Sequence, residues 1–307
     1  MRLDSTLISV EATYRPFRRP VDEPNSAKLR LPQRTDLDRD RYRGRMDVLA
    51  GDAGDGVPNR LHLDCRDCAA RSTGLCRSLT PETMRSLASA KHQNRNLRAG
   101  QDLIGQGEAC DAIFNLVEGW IMLYAISEAG RRHIVHFALA GAVLGLESMG
   151  QTTAKYGVQA LTNVVVCEIP RKALAPESEA HPEIAIRLAW MMGRDRDLSF
   201  EHVFALGQHS ARERVAGLLL ELFVRSRAQW PGRGVEELAL PLTQEHIADA
   251  TGLTGVHVSR VLSRLRRDGI LEFHCRRLKI LDPGRLLKVC GVSPDSAMSW
   301  IDNGSAI

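Results

Sequence analysis

Apolar and polar positions change rhythm several times along the chain, and each rhythm predicts a different kind of element. Residues 1–60 have no sustained period; Arg, Asp, Pro and Gly are scattered through PFRRPVDEP, TDLDRDRYRGR and GDAGDG. Such a stretch cannot bury enough surface to offset its ordering entropy, so a disordered extension is expected. Thr80-Pro-Glu-Thr reads as a helix start, with Thr80 as cap, Pro81 in the first turn, and Met84, Leu87 and Ala88 facing inward. From about Leu97 to Pro170, short apolar runs such as AIFNLVEGWIMLYAI and VQALTNVVVCEIP are broken by turn residues every 8–12 positions or so. That spacing predicts an all-β barrel or roll.

From Pro182 to about Gly207 a helical period takes over in IAIRLAWMMGRDRDLSFEHVFAL. Two heptad registers compete. One uses 184, 188, 191, 198 and 205 and puts Asp195 on the seam; the other uses 185, 189, 192, 199, 203 and 206 and puts Arg196 there. Dimer contacts are expected from Leu188, Met191, Met192 and Leu198, with Asp195 or Arg196 as the interrupting charge. A helix packed only on its own domain is the alternative. A further helix, ARERVAGLLLELFVRSR, and a loop, AQWPGRGVEELALP, come next.

The segment LTQEHIADATGLTGVHVSRVLSRLRRDGILEFHCRRLKILDP has the clearest signals. Thr243 caps a short helix with Ile247, Ala248 and Ala250 on its apolar face. Gly252 closes it, because a left-handed residue there costs glycine nothing. Thr254 caps a second helix in which Val258, Val261, Leu262 and Leu265 share one face. Val256, Ser259, Arg260, Ser263 and Arg264 lie opposite; Gly269 stops the helix, and 270–273 and 278–281 can pair as wing strands across HCRR. This is winged helix–turn–helix spacing with a basic reading face for double-stranded DNA. Thr254, Val256, His257, Ser259, Arg260 and Arg264 are its candidate contacts. The alternative use is protein contact.

Charge sharpens this reading. The whole chain carries only +4, but residues 254–288 carry nine Arg or Lys against three acids, a local +6, so the remainder is net negative. A basic patch of this kind is the electrostatic footprint of a nucleic-acid partner. No apolar run reaches 18 residues, so no membrane partner is expected. The N-terminus lacks a secretory pattern, which places the chain in the cytoplasm. In a reducing compartment, closely spaced cysteines more often bind metal or do redox chemistry than form structural disulfides.

Cys65, Cys68 and Cys76 form a C-x2-C-x7-C cluster, and Cys167 lies in VVVCEIP near the end of the roll's last strand. Four thiolates suit a [4Fe–4S] cluster and also tetrahedral zinc. Cys110, in the GEACDAIF turn, reads as a structural or incidental residue, Cys275 and Cys290 as plain thiols, and His133 and His136 as surface residues on a strand. No P-loop, G-x-S-x-G or convincing carboxylate pair argues for an enzyme.

Over about residues 61–290 the chain resembles the Crp/Fnr superfamily, specifically its FNR-type oxygen regulators. The resemblance rests on the cysteine cluster, the cysteine before Glu-Ile-Pro, AIFNLVEGWIMLY, ALAGAVLG, and LTQEHIADATGLT with SRVLSRL. It implies an α+β fold: an N-terminal β-roll like a cyclic-nucleotide-binding domain, a long dimerisation helix and a C-terminal winged helix–turn–helix. It also implies one [4Fe–4S] cluster on Cys65, Cys68, Cys76 and Cys167, a homodimer on a palindromic operator without oxygen, and RNA polymerase as a protein partner. A zinc site or a thiol–disulfide switch on the same architecture is the alternative. The expected division is a disordered extension (1–60), a cysteine cluster and β-roll sensor (61–180), a dimerisation helix (181–208), a winged helix–turn–helix (209–290) and a flexible tail (291–307).

Two departures from the family pattern matter. Members that bind a cyclic nucleotide carry Gly-Glu followed by Arg-Ser/Thr-Ala, whose arginine pairs with the phosphate; AGAVLGLESMGQTTAKYGVQAL has no such arginine, so no cyclic nucleotide is expected. The reading helix of FNR-type proteins carries Glu-x-x-Ser-Arg; Ser259 and Arg260 match, but Val256 stands in the glutamate's place.

Overall fold

The computed structural model describes residues 65, 68–72, 74–77, 79–146, 153–227 and 236–301. The expectation for residues 1–60 lies outside them. Helix α1, Pro81–Ala90, starts as anticipated: the Thr80 hydroxyl accepts from Thr83 N at 3.1 Å, and Met84 and Leu87 are buried.

Eight strands then build the roll as two antiparallel four-stranded sheets. The first has the order β1 (Gln93–Leu97), β8 (Val164–Pro170), β3 (Ala112–Glu118), β6 (Val143–Leu144). The second has the order β2 (Asp102–Ile104), β7 (Gly157–Ala160), β4 (Trp120–Ile126), β5 (Arg132–Leu139). Leu97, Leu116, Ile121, Leu123, Val158 and Val166, drawn from both sheets, form one core.

Strand residues of opposite parity are also buried, because both outer faces are covered. On the first sheet, Ile113 and Ile169 pack with Leu75 from the cysteine segment, Leu87 of α1, Leu174 of α2 (Arg171–Ala180), and Ile184, Leu188 and Met191 of α3 (Pro182–Gln208). On the second sheet, Met122, Tyr124, Ile134 and Phe137 join the core of the C-terminal half. Helix α2, which carries Pro176, was not anticipated from the sequence.

Helix α3 buries one of its two apolar registers within the protomer. Ile184, Leu188, Met191 and Leu198 are buried within the protomer itself, at about 1.5–3 kcal/mol per side chain. Leu188, Met191 and Leu198 are therefore core residues, contrary to the expectation that they line a dimer seam. Met192 and Arg196 lie on the exposed side, and Asp195 is half-buried. The exposed side is apolar as well: Ile186 is 46%, Met192 48%, Phe200 62%, Val203 66% and Phe204 61% exposed.

Helix α4 (Ala211–Arg227) is the hub of the C-terminal half, with Val215, Leu219, Leu220, Leu222, Phe223 and Val224 fully buried. Part of the stretch read as a loop is strand β9 (Glu236–Ala239), which adds to the wing strands β10 (Leu271–His274) and β11 (Arg277–Ile280) in the order β10-β11-β9. After α7 (Pro283–Cys290) the expected flexible tail is instead folded as far as it is described. Ser293 caps α8 (Pro294–Ser299), and Ala297, Trp300 and Ile301 are buried. The Trp300 indole donates to Glu201 on α3 at 2.6 Å, so an apolar ring with a satisfied N–H pins the segment down. Among the described residues no helix is long and apolar enough to cross a membrane.

Candidate functional site

Helix α5 (Gln244–Thr251) and helix α6 (Gly255–Arg267) form the helix–turn–helix. Thr243 accepts from His246 N at 3.2 Å, while the His246 ring accepts from Thr243 N at 3.3 Å. Gly252 sits at φ 64°, ψ 35°, the left-handed corner a side chain would strain. Thr254 then accepts from His257 N at 3.3 Å to start α6. Val258, Val261, Leu262 and Leu265 turn inward onto α4 and β10. Thr254, Val256, His257, Ser259, Arg260 and Arg264 are all exposed on the other side. Val256 is 64% exposed, a large apolar side chain on the reading face. The wing turns at Cys275 (φ 47°) and Arg276 (φ 59°), two left-handed residues in a tight hairpin that holds Arg276 and Arg277 in solvent.

The reader is fastened to the roll by charge as well as by apolar packing. Arg132 of β5 pairs with Asp249 of α5 at 2.8 Å. Deeper, Glu221 of α4 holds His202 of α3 at 2.5 Å and Arg225 at 2.7 Å, and Arg225 donates to the Phe137 carbonyl of β5 at 2.8 Å. Burial alone would raise the Glu221 carboxyl, but His202 and Arg225 outweigh it and hold it below the ordinary carboxylate range. His136, expected at the surface, is half-buried beside Arg225 with its Nδ1 shielded from solvent; burial first and that cation second push its pKa well below the ordinary imidazole range.

The second site is a small pocket lined by Cys65, Cys68, Cys76 and Cys167 together with Arg71, Met84, Lys91, Asn94 and Asn115. Two short 3-10 turns, Ala69–Ser72 and Gly74–Cys76, fold the cysteine segment onto the roll, anchored by Ala70 and Leu75, both fully buried. Cys167 comes from the middle of β8, where it pairs with Asn94 on one side and Asn115 on the other. The Asn115 amide donates to Cys76 Sγ at 3.8 Å. Burial, reinforced by Cys167 and Cys68, pushes the Cys76 thiol up to about 12. Burial pushes Cys167 to about 12 as well, with Lys91 opposing. Buried thiols with such values become good ligands only when a metal's charge replaces their protons.

No described cysteine is in a disulfide. Among the described residues no three His, Cys, Asp or Glu side chains are grouped to hold a single metal ion; the four thiols surround a cavity. Cys110 lies in the roll's interior, Cys275 is exposed and Cys290 is buried beneath α8, all outside the pocket lining.

Sequence reasoning missed Arg187, a buried residue whose Nε donates to the Gly74 carbonyl at 2.9 Å and whose guanidinium stacks 4.5 Å from the Trp190 ring centre. A charge three residues after Ile184 and four before Met191, on the buried stripe, was the available signal. It also missed Asn115, a polar residue inside the apolar run AIFNLVE.

A winged helix–turn–helix carried on a two-sheet roll defines a DNA-binding transcription regulator. Residues 94–180 match the cyclic nucleotide-binding domain family, and residues 213–289 match the Crp-like helix-turn-helix domain family. The chain is 33% identical to the transcriptional activator protein FnrL of Cereibacter sphaeroides, covering 79% of this chain and 97% of that one. It is 31% identical to the transcriptional activator protein anr of Pseudomonas aeruginosa, covering 74% and 92%. FixK2 from Bradyrhizobium japonicum is similar in structure, with TM-score 0.58, 29% identity, and 66% and 98% of the two chains covered. The chain belongs to the Crp/Fnr family of transcription regulators.

Proposed function

We propose that this regulator responds to oxygen or redox state through a [4Fe–4S] cluster held by Cys65, Cys68, Cys76 and Cys167. It would bind a palindromic operator as a homodimer and act there with RNA polymerase. The observation that carries the reading is the common pocket: three thiols from one short segment and a fourth from mid-strand β8 line the same cavity. Four thiolates would also suit a tetrahedral zinc ion on the same residues; iron and sulfide content separates the two readings. The iron–sulfur cluster supplies an oxygen-labile centre.

The chain's own residues offer a route from that pocket to DNA. Leu75, one residue before Cys76, shares a core with Ile184, Leu188 and Met191 of α3. Arg187 holds the carbonyl of Gly74, one residue earlier, by a charge-assisted hydrogen bond of a kind worth about 1.5–3 kcal/mol. Displacing the turn would disturb α3 directly. The outer face of α3 presents Ile186, Met192, Phe200 and Val203 to a second copy, with Arg196 among them. Two arginines meeting across a two-fold seam would keep association marginal and easily tipped. A shift of about 5 kcal/mol takes such an equilibrium across its whole range.

On DNA, Arg260 can pair bidentately with guanine, and Ser259 can anchor nearby. Val256 offers only a methyl contact to thymine, where a glutamate would accept from cytosine. Operator selection from a random library with Val256→Glu should therefore change the preferred base at one position per half-site and leave stability within about 0.5 kcal/mol. An unchanged selected sequence refutes this assignment.

The test of the function is operator binding by gel shift, before and after exposure to air. The anaerobic protein should bind about 5- to 150-fold more tightly than the aerated one, the usual range of an allosteric coupling. Alanine at any one of the four cysteines should bind like aerated protein. Equal affinity in all these states rejects the reading.

A further inference from the structure

Cys167 is flanked by asparagine on both neighbouring strands. Register pairs it with Asn94 of β1 and with Asn115 of β3, so the three side chains lie in one row across the sheet on the same face. Along β3 and β8 that face continues with Ile113 and Ile169, which are buried and apolar. Asn94 and Asn115 are each only 2% exposed, and both line the four-thiol pocket. A buried carboxamide without a partner costs about 1–3 kcal/mol, so an aliphatic residue would stabilise the fold better at either position. Among the described residues Asn94 Nδ2 has no hydrogen-bond partner, and neither has Asn115 Oδ1; Asn115 Nδ2 donates to Cys76 Sγ at 3.8 Å. Two buried amides flanking one cysteine in register and lining the same pocket, one of them already donating to Cys76 Sγ, suit N–H···S bonds.

We propose that Asn94 and Asn115 are positioning residues that donate hydrogen bonds to the sulfurs of Cys167 and Cys76 and thereby slow the loss of the metal group those sulfurs hold. The inference rests on the iron–sulfur reading above. Amide N–H dipoles pointed at sulfur favour the more electron-rich form of a cluster, which raises its reduction potential and makes removal of an electron harder. Asn94 and Asn115 would thus set how fast the regulator answers oxygen, without themselves being ligands.

The test uses the full chain purified without oxygen, as wild type, Asn94→Leu, Asn115→Leu and the double variant; leucine keeps the volume and removes the amide. The iron and sulfide content should stay near that of wild type. The midpoint potential should move to more negative values, and the visible absorption should bleach in air about tenfold faster in the double variant. Leucine variants that load normally and keep the wild-type potential and bleaching rate overturn this inference and leave the cluster reading intact. A wild-type protein that takes up neither iron nor sulfide overturns both. Should the leucine proteins fail to fold or load, Asn115→Ser and Asn115→Asp decide the matter, because serine retains a donor and aspartate replaces it with negative charge. Faster bleaching of the aspartate variant supports the proposal, and equal rates for the two overturn it.

Discussion

Glu221→Ala should lower stability by about 3–5 kcal/mol, because it strands two cationic groups that the fold has already taken out of water. The side chains of Glu221 and Arg225 are only 5% and 4% exposed, and His202 closes the triad from α3. Removing the pair together, as in Glu221→Leu with Arg225→Met, should cost less than Glu221→Ala alone, since the permanent Arg225 charge goes with its partner and His202 can shed its proton. The same triad predicts the pH dependence. The Glu221 attraction holds the His202 imidazolium above its ordinary range. A raised folded value means that the contribution of His202 is complete below its unfolded pKa of about 6.5 and is lost as pH rises through the folded value. Glu221 is depressed, so its contribution persists down to about pH 4.3 and fades only below that. Thermal melts from pH 5 to 9 should show stability falling on the alkaline side, and His202→Ala should flatten that fall. A Glu221→Ala protein as stable as wild type would mean that the triad does not bind reader to roll.

Gly74→Ala should empty the pocket while sparing the reader. Gly74 adopts φ +56°, and a Cβ there would stand 1.8 Å from the Gly141 carbonyl oxygen and 2.5 Å from its carbon. The obstacle is backbone, so no side chain can swing aside. The left-handed conformation costs a non-glycine residue about 1–2 kcal/mol, and overpacking adds about 1–3 kcal/mol. The cheapest escape is for the Gly74–Cys76 turn to lift, breaking the Arg187 bond and carrying Cys76 away from Cys167. Anaerobic iron content should fall at least about tenfold, with α5 and α6 folded and binding DNA non-specifically. Full iron loading in Gly74→Ala would show that the turn is not what places Cys76.

Local signals made the reader legible: the caps Thr243 and Thr254, the corner at Gly252, and the inward set Val258, Val261, Leu262 and Leu265 all act within a few residues of themselves. Helix α3 was harder because it is apolar on two sides. Periodicity reveals both stripes equally, and only packing shows that Leu188 and Met191 belong to the protomer while Met192 and Phe200 face outward. The C-terminal segment was misread for a related reason. Trp300 and Ile301 are isolated apolar residues in a polar stretch, and their burial depends on Glu201, about a hundred positions earlier. The cysteine spacing named candidate ligands. It carried no trace of the asparagines beside Cys167, which stand next to that residue only through strand register.

One iron–sulfur cluster held jointly by Cys65, Cys68, Cys76 and Cys167 would leave a stoichiometric signature. Iron and acid-labile sulfide per chain, measured on protein purified without oxygen, test it most directly. About four of each are expected, falling sharply in Cys167→Ala. A single zinc per chain, or operator binding that proceeds with neither iron nor sulfide present, would contradict it.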